Sequence, residues 1–391
     1  MCPVRNQSAP EVQADVPQSA PAGNQVLGVS DNRGLADEEV SVGTPEGTSG
    51  FLLIQVTSYD GGRSNEPWML RVEETAPLPM PSTCSQPTGP NTGTAAAQFG
   101  NPTTASTLYL INAKRFGDLY GSTAESSVMG RLRTLASRSD AAGGAVIPVE
   151  NNGPVATAYS AWTDNTHPQN YCSPAKANNV VRAIGRLLDT ITAPTVRYIV
   201  LVGDDPVIPY GRILDNTSFA NERGYATTFL ANANNEYLSA YGFGFLPSDD
   251  PYGASHYPGT GPYTPDISVG RLTETPAQIS SLIDQYVSRN GTFNPTRSVV
   301  TGYDFLKDGA QAIAPSLPNG PRLINDTWSK ANLTGALFPG NTGEIDSINA
   351  HFDHNRSLPA DENLAQRQTN LFTTNDIASR GASAVLARLG I

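Results

Sequence analysis

The chain is poor in charge, in cysteine and in histidine, and it has no long apolar run. Only 16% of its 391 residues are Asp, Glu, Lys or Arg, against about 25% in ordinary soluble domains. Among those few charges acid prevails: 36 Asp and Glu face 25 Lys and Arg, a net of −11. A surface of that sign repels phosphate backbones, so nucleic acid is excluded as a partner. The three cysteines, Cys2, Cys84 and Cys172, form no C-x-x-C pair, which removes zinc ribbons and thioredoxin-type sites. No window approaches 18 consecutive apolar residues, so no membrane span is expected. The opening MCPVRNQSAP lacks the apolar core of a signal peptide. There is no G-x-S-x-G elbow for a serine nucleophile. GFG (Gly242–Gly244) and GTG (Gly259–Gly261) lack the strand before and the helix after that a phosphate loop requires.

What is abundant is Gly (36) and Pro (31), with much Ser, Thr and Asn. Such a loop-rich, uncharged polar surface is the composition of many exported proteins. In an oxidising compartment Cys84 and Cys172 could form one disulfide. The length suggests two or three domains. Residues 1–46 have little apolar periodicity and read as a loose N-terminal segment. In 47–76, FLLIQVTSY (Phe51–Tyr59) and WMLRVEE (Trp68–Glu74) flank Asp60-Gly61-Gly62, a hairpin pattern. Two strands bury no core alone, so the hairpin reads as a remnant of a β-sandwich. Residues 77–104 are a Pro/Thr/Gly linker.

From 105 to 391 strands alternate with amphipathic helices. TLYLIN (Thr107–Asn112) is a buried-type strand, followed by a helical segment with Val128, Leu132, Leu135 and Ala136 on one face. A strand is expected at Ala145–Val149, a helix at Ala175–Thr192, and strands at Val196–Val202 and Asp266–Arg271. A helix carrying Ile279, Leu282, Ile283, Tyr286 and Val287 is announced by Thr275-Pro276. RSVVTGYDF (Arg297–Phe305) and EIDSINAHF (Glu344–Phe352) are the last clear strands. The alternation predicts an α/β fold with a mostly parallel sheet covered on both faces. Active groups in such sheets lie beyond the carboxyl ends of strands. That rule selects Asp204 and Asp205, Asp304, and His351 and His354.

The two histidines of HFDH lie three apart, so on a strand they point to opposite faces. HFDH is not the helical HExxH zinc motif. A metal-dependent hydrolase using His351, His354 and Asp353 or Asp361 is therefore the weakest of the readings. No EF-hand loop is present, although structural calcium would suit an Asp-rich, loop-rich extracellular protein. His167 and His256 sit in Pro- and Gly-rich loops and read as structural or surface groups. A histidine base needs a nucleophile and an orienting carboxylate. Asp304, ending the neighbouring strand, fits the carboxylate role or that of a helix cap. Asp204 and Asp205 fit a catalytic pair or a cap on the turn before Pro206.

The order of LYLINAKRF (Leu108–Phe116), YIVLVGDDPVIP (Tyr198–Pro209), SDDPYG (Ser248–Gly253), PDISVGRLTETPAQISSLIDQYV (Pro265–Val287), SVVTGYDF (Ser298–Phe305) and INAHFDHNR (Ile348–Arg356) resembles the catalytic domain of the gingipain family of cysteine peptidases. The resemblance implies a caspase-like three-layer fold, proteolysis by a Cys/His dyad, a protein or peptide substrate, and an extracellular or cell-surface location. The family's histidine follows an N-x-x-G-H-G pattern. Asn349 begins that block here, which implies His354 as the base and His351 as the alternative, with Asp353 and Asn355 replacing the usual glycines. The partner carboxylate falls on Asp304. The family's nucleophile ends the strand after a stretch like LFTTNDI (Leu371–Ile377), but here IASRGASAVLARLGI follows with no cysteine. The expectation is a thiol beyond Ile391 or lost, and a chain that is inactive alone. The alternative is a peptidase-like module that binds peptide or a surface partner without cleaving it.

Overall fold

Apolar runs of five residues, too short for helices and rich in β-branched side chains, become the central strands. The computed structural model describes residues 85–215, 240–254, 263–337 (save 274), 344–353, 356–357, 359–360, 371–373, 375–376 and 388–390. The hairpin expected at 51–72, Cys84, His256 and His354 lie outside the described residues. The chain divides into two compact units, Met1–Ser280 and Ser281–Ile391. Each is α/β with a parallel four-stranded sheet, consistent with the fold class that the sequence implies.

In the first unit β1 (Thr107–Ile111), β2 (Gly144–Pro148) and β3 (Tyr198–Val202) are joined by α1 (Ala113–Tyr120), α2 (Ser122–Ala136), α3 (Gly153–Trp162) and α4 (Pro174–Ile191). β4 (Gly211–Leu214) pairs antiparallel with β5 (Phe245–Ser248), and β6 (Ser268–Leu272) closes the parallel sheet in the order β2-β1-β3-β6. Every residue of β1 is buried. In α4, Val180, Ile184 and Leu188 are buried at helical spacing, each burial contributing about 1.5–3 kcal/mol. Ser173 caps that helix and Pro174 starts it.

The helical segment expected after β1 is two helices. Gly121, at φ 93°, ends α1 and starts α2, a backbone state few residues but glycine tolerate. Asn112 caps α1 by accepting the Arg115 N–H, and Glu150 accepts the N–H groups of Ala113 and Lys114. A carboxylate at a helix N-terminus satisfies donors that the helix leaves open. Burial of Glu150 nonetheless raises its pKa above the ordinary value. Residues 85–99, within the stretch read as linker, bond to these helices: the Gly93 N–H to Asp118 and the Thr94 N–H to Glu125.

In the second unit β7 (Val300–Gly302), β8 (Arg322–Ile324), β9 (Glu344–Ile348) and β13 (Arg388–Gly390) form a parallel sheet in the order β13-β9-β7-β8. β10 (Phe352–Asp353), β11 (Arg356–Ser357) and β12 (Phe372–Thr373) make a small antiparallel sheet. α5 (Pro276–Ser288) runs through the division of the chain at Ser280, and α6 (Lys307–Ile313) and α7 (Lys330–Leu337) lie within the second unit. α5 begins in a capping box: Thr275 Oγ1 accepts the Gln278 N–H, and Gln278 Oε1 accepts the Thr275 N–H. Val299, Tyr303, Trp328, Leu333, Leu337, Ala350, Ala360 and Phe372 pack as one core. The strand expected to run to Phe352 stops at Ile348. There the Asn349 amide donates to the Thr301 carbonyl (2.9 Å) and to Ser347 Oγ (3.0 Å), drawing the chain out of line with the sheet.

Candidate functional site

In the first unit the carboxyl edge of the sheet is tied shut. β3 leads into Gly203 at φ 98°, where a Cβ would lie 2.7 Å from the Val207 side chain. Only glycine allows that turn. Asp205 is fully buried against Arg212, with two bonds of 2.7 and 2.8 Å, and accepts the Tyr210 N–H at 2.7 Å. Arg271, at the end of β6, grips both oxygens of Asp249 (2.9 and 2.5 Å). It also donates to the carbonyls of Gly203 and Ile208, and its guanidinium lies 4.0 Å over the Tyr210 ring. Burial alone would lower the pKa of Arg271, but its bonds to Asp249 outweigh that and raise it. The Arg115 Nε–H donates to the Pro206 carbonyl. Asp205 therefore serves the ion pair that fixes this loop, and the V-G-R and S-D-D motifs meet as its clamp. Asp204 accepts from the Tyr210 hydroxyl at 3.3 Å. The catalytic-pair reading of these two aspartates has no geometric support.

In the second unit the same kind of edge carries two exposed polar groups, Asp304 and His351. The parallel register pairs Val300 with Ser347 and Thr301 with Ile348. Asp304 lies three residues past Thr301, and His351 three past Ile348. The two groups thus emerge at one edge, beyond neighbouring strands. Asn349 secures the pairing there, its N–H donating to Thr301 Oγ1 at 3.0 Å.

Asp304 is exposed and holds φ 54°, an uncommon state for a non-glycine residue. Its N–H donates to Asp326 (2.8 Å), which also holds the Lys307 ammonium at 2.5 Å. The Asp304 carbonyl accepts the Lys307 N–H, opening a single 3-10 turn into α6. No hydrogen bond or ion pair engages the Asp304 carboxylate among the described residues. His351 is exposed too. Its backbone N–H donates to the Tyr303 hydroxyl at 3.1 Å. Its ring lies 5.5 Å from that of Tyr303 and 5.4 Å from that of Phe305.

Of the residues that the sequence selects, Asp304 and His351 come together at this edge, and no bond joins their side chains. His354 lies outside the described residues. His167 is an exposed partner of Asp164 at 2.8 Å, and that contact helps to hold the Asp164 carboxyl at about 2, behind the Thr166 hydroxyl as the larger cause. Cys172 is fully buried and disulfide-bonded, so it offers no thiol. Among the described residues no three His, Cys, Asp or Glu side chains gather as a metal would need. Sequence reading missed Tyr303 and Phe305. The only trace of them was the pair of aromatics flanking the aspartate in GYDF.

No family model matches the chain, and no curated protein matches it. Two of the solved structures similar to it are the Arg-specific cysteine proteinase gingipain R and a structure described as a protease. The first is 14% identical at a TM-score of 0.35, covering 64% of this chain and 48% of that one. The second is 13% identical at a TM-score of 0.36, covering 72% and 50%. The chain thus spans about half the length of each.

Proposed function

We propose that the second unit is the histidine and carboxylate side of a gingipain-type cysteine endopeptidase, with His351 as the base and Asp304 as its acidic neighbour. The observation that carries this reading is the register of β7 with β9, which brings both residues to one strand-end edge. The strand order adds a place for the nucleophile. β13 pairs in parallel with β9 on the side away from β7, so a thiol following β13 would face His351 from the side opposite Asp304. His351 is taken as the base because the register of β7 with β9 puts it at the edge of Asp304; His354, which the family pattern favours, is the alternative.

In such a site the thiol proton passes to the His351 imidazole and the thiolate attacks the scissile carbonyl carbon. The C–N bond breaks, and the leaving amine takes the proton from the imidazolium. Water then attacks the thioester, returning its proton through His351 and releasing the acid. The carboxylate of Asp304, with no bond among the described residues, is available to favour the charged imidazole.

The chain of 391 residues is expected to leave fluorogenic peptides intact. The product of the complete reading frame is expected to cleave them if a cysteine follows β13 within about ten residues, the reach of a short connection. A thiol alkylator should block that cleavage. His351→Ala should lower it by a factor of about 10²–10⁴, with His354→Ala much milder. Full activity in His351→Ala, or alkylator-sensitive turnover by the 391 residues alone, overturns the assignment. A reading frame with no such cysteine leaves the non-cleaving, peptide-binding module in its place.

A further inference from the structure

His351 is held at the sheet edge by one residue through two kinds of contact. Tyr303, fully buried, follows β7 in extended backbone. Its hydroxyl accepts the His351 N–H at 3.1 Å, which fixes the main chain that carries the imidazole. Its ring meets the imidazole at 5.5 Å and 57°, which limits how that imidazole can rotate. Tyr303 is itself braced: Trp328, 2% exposed, meets it edge-on at 5.5 Å and 69°. On the outer side Phe305 meets the imidazole at 5.4 Å and 72°, although 70% of it is exposed. The left-handed turn at Asp304 lies between these aromatics, with Tyr303 below it in the core and Phe305 above it in solvent.

We infer that Tyr303 is the positioning residue for His351 and that Phe305 closes the bracket from outside. The inference rests on the reading of His351 as the base. A base must lie within hydrogen-bond reach of the proton it takes, and an imidazole on an exposed loop meets that condition only if its rotamer is restricted. Tilted and edge-on aromatic contacts at these spacings are favourable geometries. They restrict the ring without engaging its nitrogens, which no hydrogen bond takes up among the described residues.

With only four histidines, selective labelling resolves each imidazole by NMR, and His351→Ala assigns the signal. Ring currents from Tyr303 and Phe305 should displace the His351 ring-proton shifts from those of a solvated histidine. Tyr303→Phe should keep that displacement but speed exchange of the His351 amide about fivefold, the loss of one ordinary hydrogen bond. Tyr303→Leu and Phe305→Leu should each move the ring-proton shifts towards solvated values. Phe305 is exposed, so its variant tests the bracket even if Tyr303→Leu fails to fold. Unchanged ring-proton shifts in Phe305→Leu together with an unchanged His351 amide exchange rate in Tyr303→Phe overturn the inference while leaving the peptidase reading intact. Displaced signals in an enzyme that keeps full activity as His351→Ala uphold the placement and remove the peptidase reading.

Discussion

Arg271 shows how much of the first unit's edge hangs on one side chain. Its guanidinium is planar and carries five donors. Here it reaches a carboxylate, two main-chain carbonyls and the face of a tyrosine at once. Lysine cannot match that geometry, since its ammonium is a single point charge. Arg271→Ala leaves Asp249 and the carbonyls of Gly203 and Ile208 without their partner. It is expected to destabilise the chain by about 3–5 kcal/mol, as removal of one member of a buried pair does. Arg271→Lys should recover only part of that. Chemical denaturation of the two variants beside the parent chain measures the difference. A loss under about 1 kcal/mol for Arg271→Ala, the range of exposed pairs, would mean that the clamp is not what holds the loop after β3.

At the scale of elements, apolar periodicity was legible and local polar chemistry was not. The helix expected at Ala175–Thr192 is Pro174–Ile191, because a Ser-Pro start and buried residues at helical spacing leave no competing structure. β1, β2 and β3 lie within a residue or two of their expected positions for the same reason. The end of β9 was misjudged, since Asn349 looks like one more polar strand residue until its amide is seen to reach Thr301 across the sheet. The LFTTNDI stretch, read as preceding the nucleophile's strand, contributes β12, which pairs with β11 in a small antiparallel sheet. The candidate site was half legible. The strand-end rule selected Asp304 and both histidines, and the family pattern favoured His354; the register of β7 with β9 brings His351 to the edge that carries Asp304, while His354 lies outside the described residues.

β12 has an electrostatic tie of its own. Asp376 accepts the N–H and hydroxyl of Thr373 at 2.7 and 2.9 Å and pairs with Lys330, the first residue of α7, at 2.8 Å. Burial pushes the Asp376 pKa up, but Lys330 and Thr373 outweigh it and hold it below its ordinary 3.8. A depressed carboxylate stabilises the fold above its unfolded pKa and loses that contribution as pH falls through the folded value. Asp376→Asn is therefore expected to flatten the acid limb of stability below about pH 4. Near neutrality its cost should be small, about 0–1 kcal/mol, because both partners remain partly exposed. Denaturant midpoints of parent and variant from pH 3 to 7 test this. Parallel curves throughout would rule out Asp376 as the source of acid sensitivity.

For the whole molecule, the buried disulfide at Cys172 is a covalent tie of the kind that forms in oxidising compartments. The bond also bears on the chemistry, because a sulfur held in a disulfide cannot become the attacking thiolate. Cys172 follows Tyr171, which stacks on Trp162 at 4.9 Å and accepts its indole N–H. Arg115 lies over both rings while holding Pro206. A covalent tie at Cys172 therefore anchors the aromatic stack on which the loop after β3 rests. Cys84 is the expected partner, and a peptide map without reductant should recover the two cysteines in one linked pair. Closing a loop of that size removes freedom from the unfolded chain, so reduction should lower stability by about 2–5 kcal/mol. The fluorescence of Trp162 should change with it as the stack loosens. Linkage to Cys2 instead, or alkylation of Cys172 before reduction, would refute the pairing and reopen the question of which cysteine is free to react.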